Sequence, residues 1–346
     1  MLGKKKGILG LDIGSSGIKI SLLEGTKGGV RVKELWKGDL PEEAIAEGEI
    51  MEREMIIEVL KNYIQERKPS IKTVASFIPN PRAINIKRIR MDKLPPEEIK
   101  EQIKWQAEQY FGMDPTEISV DGEIIDPDYS ETEMEVLLVA ARNDAVMDYV
   151  LVLKSAGLSP EIVDVHVFSL YNIFEFNYPD IAKNADIKGI LHVGKSFSTI
   201  LYFADKGPYL VRDIRISVRN LINLMQERLD LSYQDSEGII KGEKEASSAL
   251  VYEIYREYVS NIGEEVRRTF PYIEKKEEPD VIYVSGGGTL VPEFTQNLSE
   301  AIGVRVERLN PFERIEIPET FFEMGTPEVL GALFVPSMGL SLRGVV

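Results

Sequence analysis

The stretch GILGLDIGSSGIKI, residues 7–20, decides the fold. It reads as an apolar strand, a tight turn of small residues and a second strand with alternating side chains, and RVKELW, 31–36, follows as a third strand. EREMIIEVLKNYIQER, 52–67, then repeats its apolar residues at helical spacing until Lys68-Pro69 stops it, and TVASFIP, 73–79, is a short buried strand. Strand, strand, helix, strand in that order predicts an α/β arrangement.

A second such unit begins at KGILHVGKSFSTILYF, 188–203, again a strand, a small-residue turn and a strand. A Gly207-Pro208 turn, YLVRDIRI, helices near 218–229 and 245–272, and DVIYVSGGGTLVPEFTQNL, 280–298, follow it; the last reads as strand, glycine turn and helix. The repetition predicts two related lobes. Residues 84–158 differ: INIKRIRM alternates as a strand, Pro95-Pro96 opens a helix with Ile99, Ile103, Ala107 and Tyr110 on one face, EMEVLLVAA is an apolar strand, and a helix starts at Asn143 or Asp144 and ends at Gly157. This is an α+β insertion.

Composition narrows the function. The 346 residues suffice for about two lobes with a cleft between them. With 41 Lys plus Arg against 57 Asp plus Glu, the net charge of -16 gives no general attraction for nucleic acid. Zero cysteines exclude disulfides and thiolate chemistry, and two histidines argue against a multi-histidine metal site. MLGKKKG lacks the apolar core of a secretion signal, and no uncharged apolar run reaches the roughly 18 residues that would cross a bilayer. The apolar end VPSMGLSLRGVV reads as core or tail rather than as a membrane-lying helix.

Three glycine-containing turns are the candidates for chemistry. In LDIGSSG, exposed amides and the Ser15 and Ser16 hydroxyls can bind phosphate oxygens, and Asp12 at the strand end can hold hydrated magnesium; an ordinary hairpin with a turn-capping Asp remains the alternative. In HVGKS, Gly194, Lys195 and Ser196 form a comparable turn without P-loop spacing, while His192 stands where a carboxylate would match Asp12 and reads as a packed or hydrogen-bonded histidine. SGGGTL, 285–290, follows the apolar strand VIYV and lets a ligand approach backbone amides and a helix N-terminus. It fails the dinucleotide pattern, since Val291 replaces the third glycine. No Ser, His, Asp triad and no general base for water can be placed.

In that order, LDIGSS, HVGKS and VSGGGTLVPEF resemble the two phosphate motifs and the adenosine motif of the actin-like ATPase superfamily. GLDIGSSGIKI, EGEI at 47–50, LPPEEIKEQIKWQAEQYFGMD, EVLLVAAR, SAGLSPEIVDV, LNPFERIEI and the closing MGLSLR resemble, more specifically, the PilM family of actin-like cytoplasmic components of type IV pilus assembly. The resemblance implies an actin-like, ribonuclease H-like two-lobed α/β fold with an inserted α+β subdomain. Subdomain 1A would be 1–83 and 159–187, 1C 84–158, 2A 188–217 and 279–346, and 2B 218–278. It implies ATP and Mg2+ as ligands, with Asp12, Gly14, Ser15, Ser16 and Lys19 facing Gly194, Lys195 and Ser196, Asp12 as the metal residue, Gly286, Gly287 and Gly288 flanking adenosine, and Glu237 and Lys241 near the ribose or base. It implies a scaffold at the inner face of the inner membrane that binds, through 1C and 1A, the short cytoplasmic N-terminal peptide of a PilN-like protein; a homo-oligomer stays open.

The chain departs from the family at His192, usually Asp, and at Ser217-Val218, usually a glycine pair. The expectation is a half-degraded clamp and at most a weak ATPase. The alternatives are an active actin-fold ATPase or sugar kinase, although no sugar-binding acid is seen, and an FtsA-like division protein, which would need a terminal amphipathic helix.

Overall fold

The computed structural model describes residues 7–346 except 47, 79–80, 113, 115, 245–248 and 274–277. Glu47 of EGEI, Pro79, Met113 and the start of the 245–272 helix lie outside the described residues.

The first lobe is built on β1 (Leu9–Gly14), β2 (Gly17–Thr26) and β3 (Gly29–Gly38), then a small hairpin of β4 (Ile45–Ala46) and β5 (Glu49–Ile50), helix α1 (Arg53–Arg67) and β6 (Thr73–Phe77). The insertion carries β7 (Ile84–Asp92), α2 (Pro96–Phe111), β8 (Ile118–Asp126) and β9 (Glu133–Arg142). The chain returns through α3 (Asn143–Ser155), β10 (Ser159–Asp164), α4 (His166–Asn177) and the short α5 (Pro179–Ala182). The second lobe has β11 (Lys188–Val193), β12 (Ser198–Ala204), β13 (Gly207–Ile214), α6 (Val218–Leu229), α7 (Tyr233–Ile240), α8 (Ala249–Arg267), β14 (Val281–Ser285), α9 (Phe294–Ile302) and β15 (Arg305–Arg308); β16 (Ile315–Glu316) and α10 (Pro327–Ser341) close the chain.

The two main sheets share one topology. In the order β10-β6-β1-β2-β3-β16, β1, β2 and β3 are antiparallel neighbours while β6 and β10 run parallel to β1; β11, β12, β13, β14 and β15 repeat that pattern in the order β13-β12-β11-β14-β15. Because side chains alternate across a strand, each sheet has two faces to cover. Leu9, Leu11, Ile13, Ile18 and Ile20 pack toward α1 and α3; Leu191, Val193, Ile200 and Tyr202 pack toward α6, α8 and α9. The facing sides share one core: Leu23, Val32 and Leu35 of the first sheet and Ile190, Phe203 and Tyr283 of the second meet Leu170, Phe174, Phe334 and Met338 of α4 and α10. The apolar C-terminal stretch is therefore core, in a helical layer common to both lobes.

The chain packs across two of the expected subdomain boundaries. The segment 279–346 is divided, since β16 adds in parallel to β3 and α10 packs on β1, β2 and α4. Missing side chains make that approach possible: a Cβ on Gly10 would lie 1.8 Å from the Ser337 carbonyl oxygen, and one on Gly339 would lie 1.9 Å from that of Ser169. Ser341 Oγ fixes the position, accepting from Leu23 N at 2.9 Å and donating to Ile8 O at 3.0 Å. The helix α3, placed in the insertion by the expected boundary at 158, packs on the first lobe. Tyr149, Val152 and Leu153 of α3 sit in the first-lobe core, and the Tyr149 hydroxyl meets Ser76 Oγ at 2.5 Å. The remaining three-stranded sheet, β7-β9-β8, has its own core of Ile89, Met91, Ile103, Val136 and Leu138 beneath α2. Tyr110 of the expected apolar face is exposed instead, beneath the Lys87 ammonium.

Candidate functional site

The first turn is a two-residue hairpin: Gly14 pairs with Gly17, leaving Ser15 and Ser16 as its tip, and Gly17 takes a φ of 127° that favours glycine. The ladder sets Asp12 opposite Lys19. The Lys19 ammonium lies 3.9 Å from the Asp12 carboxylate and donates to Ser16 Oγ at 2.7 Å. Both charged groups are buried. Burial pushes the Asp12 carboxyl up and the Lys19 ammonium down from their ordinary values, and each one's charge opposes the other's shift.

The second turn brings Gly194, Lys195 and Ser196 to the equivalent end of β11. A Cβ on Gly194 would meet Phe197 O at 2.6 Å, so the tight turn itself requires the glycine. Ser196 Oγ is buried with no hydrogen-bond partner. His192 Nδ1 lies 3.0 Å from Ser285 Oγ, and its ring meets His166 edge-on at 4.7 Å; His166 in turn meets Phe77 at 4.9 Å and Phe197 at 5.9 Å. Burial holds both imidazoles neutral, that of His166 at about 4, with Lys19 adding to the effect in each. Where a second carboxylate would stand there is a column of neutral rings. Sequence reasoning did not single out His166, Phe197 or Ser285; the signal for His166 was only its place directly after a strand resembling the first lobe's others.

The α6 terminus completes the second turn. Ser217 caps the helix reciprocally with Asn220, and the next two amides are taken: Val218 N donates to Gly194 O and Arg219 N to Lys195 O, both at 3.0 Å. Two of the donors a helix N-terminus would offer an anion are thereby consumed. Lys195 Nζ reaches Glu237 at 3.0 Å, Lys241 reaches the same carboxylate at 3.3 Å, and Lys195 lies over the Tyr233 ring. Burial favours protonation of Glu237, but the two ammonium groups outweigh it and hold its carboxyl below the usual range. Across the lobes Arg219 pairs with Glu42 at 3.3 Å.

The glycine turn after β14 is not followed by an α-helix. A single 3-10 turn spans Gly287–Thr289, and α9 begins only at Phe294, so the helix N-terminus anticipated beside SGGGTL is absent there. Close packing accounts for two of the glycines. Gly286 has a φ of 92° and a Cβ on it would lie 2.4 Å from Val193 O; one on Gly288 would lie 2.4 Å from Val193 Cγ1, 2.8 Å from Tyr258 Oη and 3.0 Å from Val218 Cγ2. Gly287 and Gly14 have room for a Cβ. Val218, where the family usually has glycine, packs beside Gly288.

The two turns offer a hydrated Mg2+ one carboxylate, Asp12, already held by Lys19, so a metal here would rest mainly on water and bound phosphate. Among the described residues no group of three or more His, Asp or Glu could hold a metal.

A second concavity lies where the insertion meets the first lobe. A cavity of about 250 Å³ is lined by Gly48, Glu49 and Ile50 of the EGEI segment, Ile78, Ala83, and Arg142, Ala145 and Tyr149. Arg142 at the end of β9 reaches this groove, while Trp105 on α2 is 52% exposed elsewhere. No helix among the described residues is long and apolar enough to cross a membrane.

Residues 10–345 match the family described as type IV pilus assembly protein PilM. Among solved structures, the chain is similar to one from a PilM-PilN type IV pilus biogenesis complex, with a TM-score of 0.85 and 24% identity over 99% of both chains. It is also similar to the ethanolamine utilization protein EutJ from Carboxydothermus hydrogenoformans (TM-score 0.60, 12% identity, 97% of this chain and 89% of that one) and to MreB5 of Spiroplasma citri bound to ADP (0.55, 9%, 99% and 98%). The shared feature is an actin-like α/β fold.

Proposed function

This chain belongs to the PilM family of type IV pilus assembly proteins, and from that membership we propose that it is a scaffold holding the cytoplasmic N-terminal peptide of a PilN-like inner-membrane protein. The peptide seat is the groove between the first lobe and the insertion. One observation carries this: Gly48–Ile50, a segment of family resemblance with no part in the interlobe cleft, lines that groove together with Arg142 at the end of EVLLVAAR. A similar chain occurs in a PilM-PilN complex, which supports the partner class. On this reading the protein works at the inner face of the inner membrane, reached through its partner. Subdomain 1C is 84–142, and α3 together with α10 belongs to 1A.

The interlobe cleft is a structural joint. Its turns retain hydroxyls and glycines but contribute one carboxylate and have two α6 amides already bonded. We therefore assign it weak ATP binding and turnover at background.

The test is calorimetry with a synthetic peptide of the PilN-like N-terminus encoded in the same genome. Ala145→Trp, which fills the groove, abolishes the heat while leaving the circular dichroism unchanged. A second variant replaces 85–140 with a short turn, which the pairing of Ile84 with Ala141 permits; it also loses binding. Full affinity in both would place the partner elsewhere.

A further inference from the structure

The insertion and the second lobe enclose another cleft, of about 610 Å³, that neither the peptide groove nor the interlobe clamp uses. Its walls are β7 at Ile86–Arg90 and β13 at Pro208–Arg212, with Tyr110 and Tyr272 at the mouth. Both strands are the outermost of their sheets and no ladder joins them, but they approach within 8 Å in places, and Ile86, Val211 and Arg212 line a smaller cavity behind, so an added strand uses the part of the β7 edge that splays away from β13. Alternate residues of an outer strand point their N–H and C=O groups away from the sheet, a template for another strand.

Charge is distributed unusually here. In a chain of net charge -16, the cleft is lined by Lys87, Arg88, Arg90 and Arg212 against Glu135 alone. Arg88 pairs with Glu135 at 2.5 Å but leaves its buried Nε without a partner. Among the described residues the other three have no carboxylate at ion-pair distance. Each lies over a tyrosine ring instead: Lys87 over Tyr110 at 4.7 Å, Arg90 over Tyr129 at 4.2 Å and Arg212 over Tyr272 at 4.8 Å. Stacking orders these cations without neutralising them.

We propose that this cleft docks an extended, acidic segment of a partner protein, which adds as a strand along the free edge of β7. Charge complementarity selects acidic side chains. The edge of β7 rather than β13 is chosen because three of the cations lie on it and because Pro208 removes an N–H from β13. Backbone pairing holds the segment, and carboxylates on alternate residues, which share one face, meet Arg90 on the face of β7 opposite to Lys87. At about 3.3 Å per residue, the five lining residues of β7 span roughly 17 Å.

The probe is a fluorescein-labelled peptide of about ten residues alternating Glu and Val, with Lys-Val and oligothymidylate controls, followed by anisotropy at about 50 and 300 mM salt. The acidic peptide binds saturably and the Lys-Val control does not. Arg90→Glu with Arg212→Glu, both exposed side chains, lowers its affinity tenfold or more, and Ala145→Trp leaves it unchanged. Hydrogen exchange then slows at the amides of 86–90 on binding. Absent binding, indifference to the double reversal, equal binding of the oligonucleotide, or binding without protection of β7 would each overturn the proposal.

Discussion

Replacing Glu237 by alanine separates two opposite roles for that carboxylate. If it contacts the ribose or base, as the family resemblance implies, its loss weakens ATP binding. If it holds the second turn shut, its loss strengthens binding, and the geometry favours this. One carboxylate engages Lys195 at 3.0 Å and Lys241 at 3.3 Å, so part of each ammonium's charge is already satisfied before a triphosphate arrives. Two unit charges this close interact by about 5 kcal/mol at an effective dielectric of 20. Solvent reaches the pair, with Lys195 11% and Glu237 26% exposed, so the net worth falls to about 1 kcal/mol per pair. Freeing both cations should then improve affinity by about 2 kcal/mol, or roughly thirtyfold. Titration of a fluorescent ATP analogue with and without magnesium reads this directly. Lys195→Ala in the Glu237→Ala background should erase the gain, and phosphate release should stay at background throughout. Weaker binding by Glu237→Ala would refute the latch, and unchanged binding would mean that nucleotide never approaches Lys195.

His166→Phe should remove part of the acid sensitivity. The imidazole titrates at about 4 instead of 6.5, so its stabilising effect is complete above 6.5 and declines as pH falls toward 4, by about 3 kcal/mol in all; the raised carboxyl of Asp12 acts in the opposite sense. Urea melts at pH 7.5 and 4.5 should show the variant gaining on wild type at the lower pH, and parallel losses would contradict the burial account. His192→Asp should make ATP binding respond to magnesium, while Asp12→Ala should weaken it; calorimetry that finds neither change means that the two turns do not face one ligand. Gly10→Ala should cost 3 kcal/mol or more in denaturant melts, because its Cβ would lie 1.8 Å from a backbone oxygen of α10; a cost below 1 kcal/mol would show that α10 can move away.

Local pattern carried much of the fold into the sequence. The two strand-turn-strand units, the alternation of INIKRIRM and the helix at 218–229 depend on neighbours in the chain, and the structure has them as β1–β2, β11–β12, β7 and α6. Long-range partners were not legible. The α3 stripe of Tyr149, Val152 and Leu153 has the same period whether it covers the insertion or the first lobe, and only packing against α1 and β10 decides. The C-terminal helix likewise follows second-lobe strands in sequence but joins the layer between both sheets. At the cleft, residue types were readable and their engagements were not. Lys19 with Asp12, Lys195 with Glu237 and two α6 amides with the second turn are pairings across 7 to 42 positions or between turns.

Those engagements bear on what a glycine motif means in such a chain. Gly194, Gly286 and Gly288 can be explained by Phe197 O, Val193 and Tyr258, whose atoms a Cβ would strike whether or not nucleotide is bound. Packing alone therefore accounts for these glycines beside His192, whether or not the cleft holds a nucleotide. Gly287 and Gly14 are different, since each has room for a Cβ. If the cleft is only a joint, alanine at either position leaves stability and partner-peptide affinity within about 0.5 kcal/mol of wild type. If nucleotide still approaches these backbones, Gly287→Ala weakens ATP binding without lowering stability. The same pair of measurements on Gly288→Ala gives the reference, because there the fold itself must yield. Loss of ATP affinity at Gly287 with intact melting would return the cleft to nucleotide chemistry.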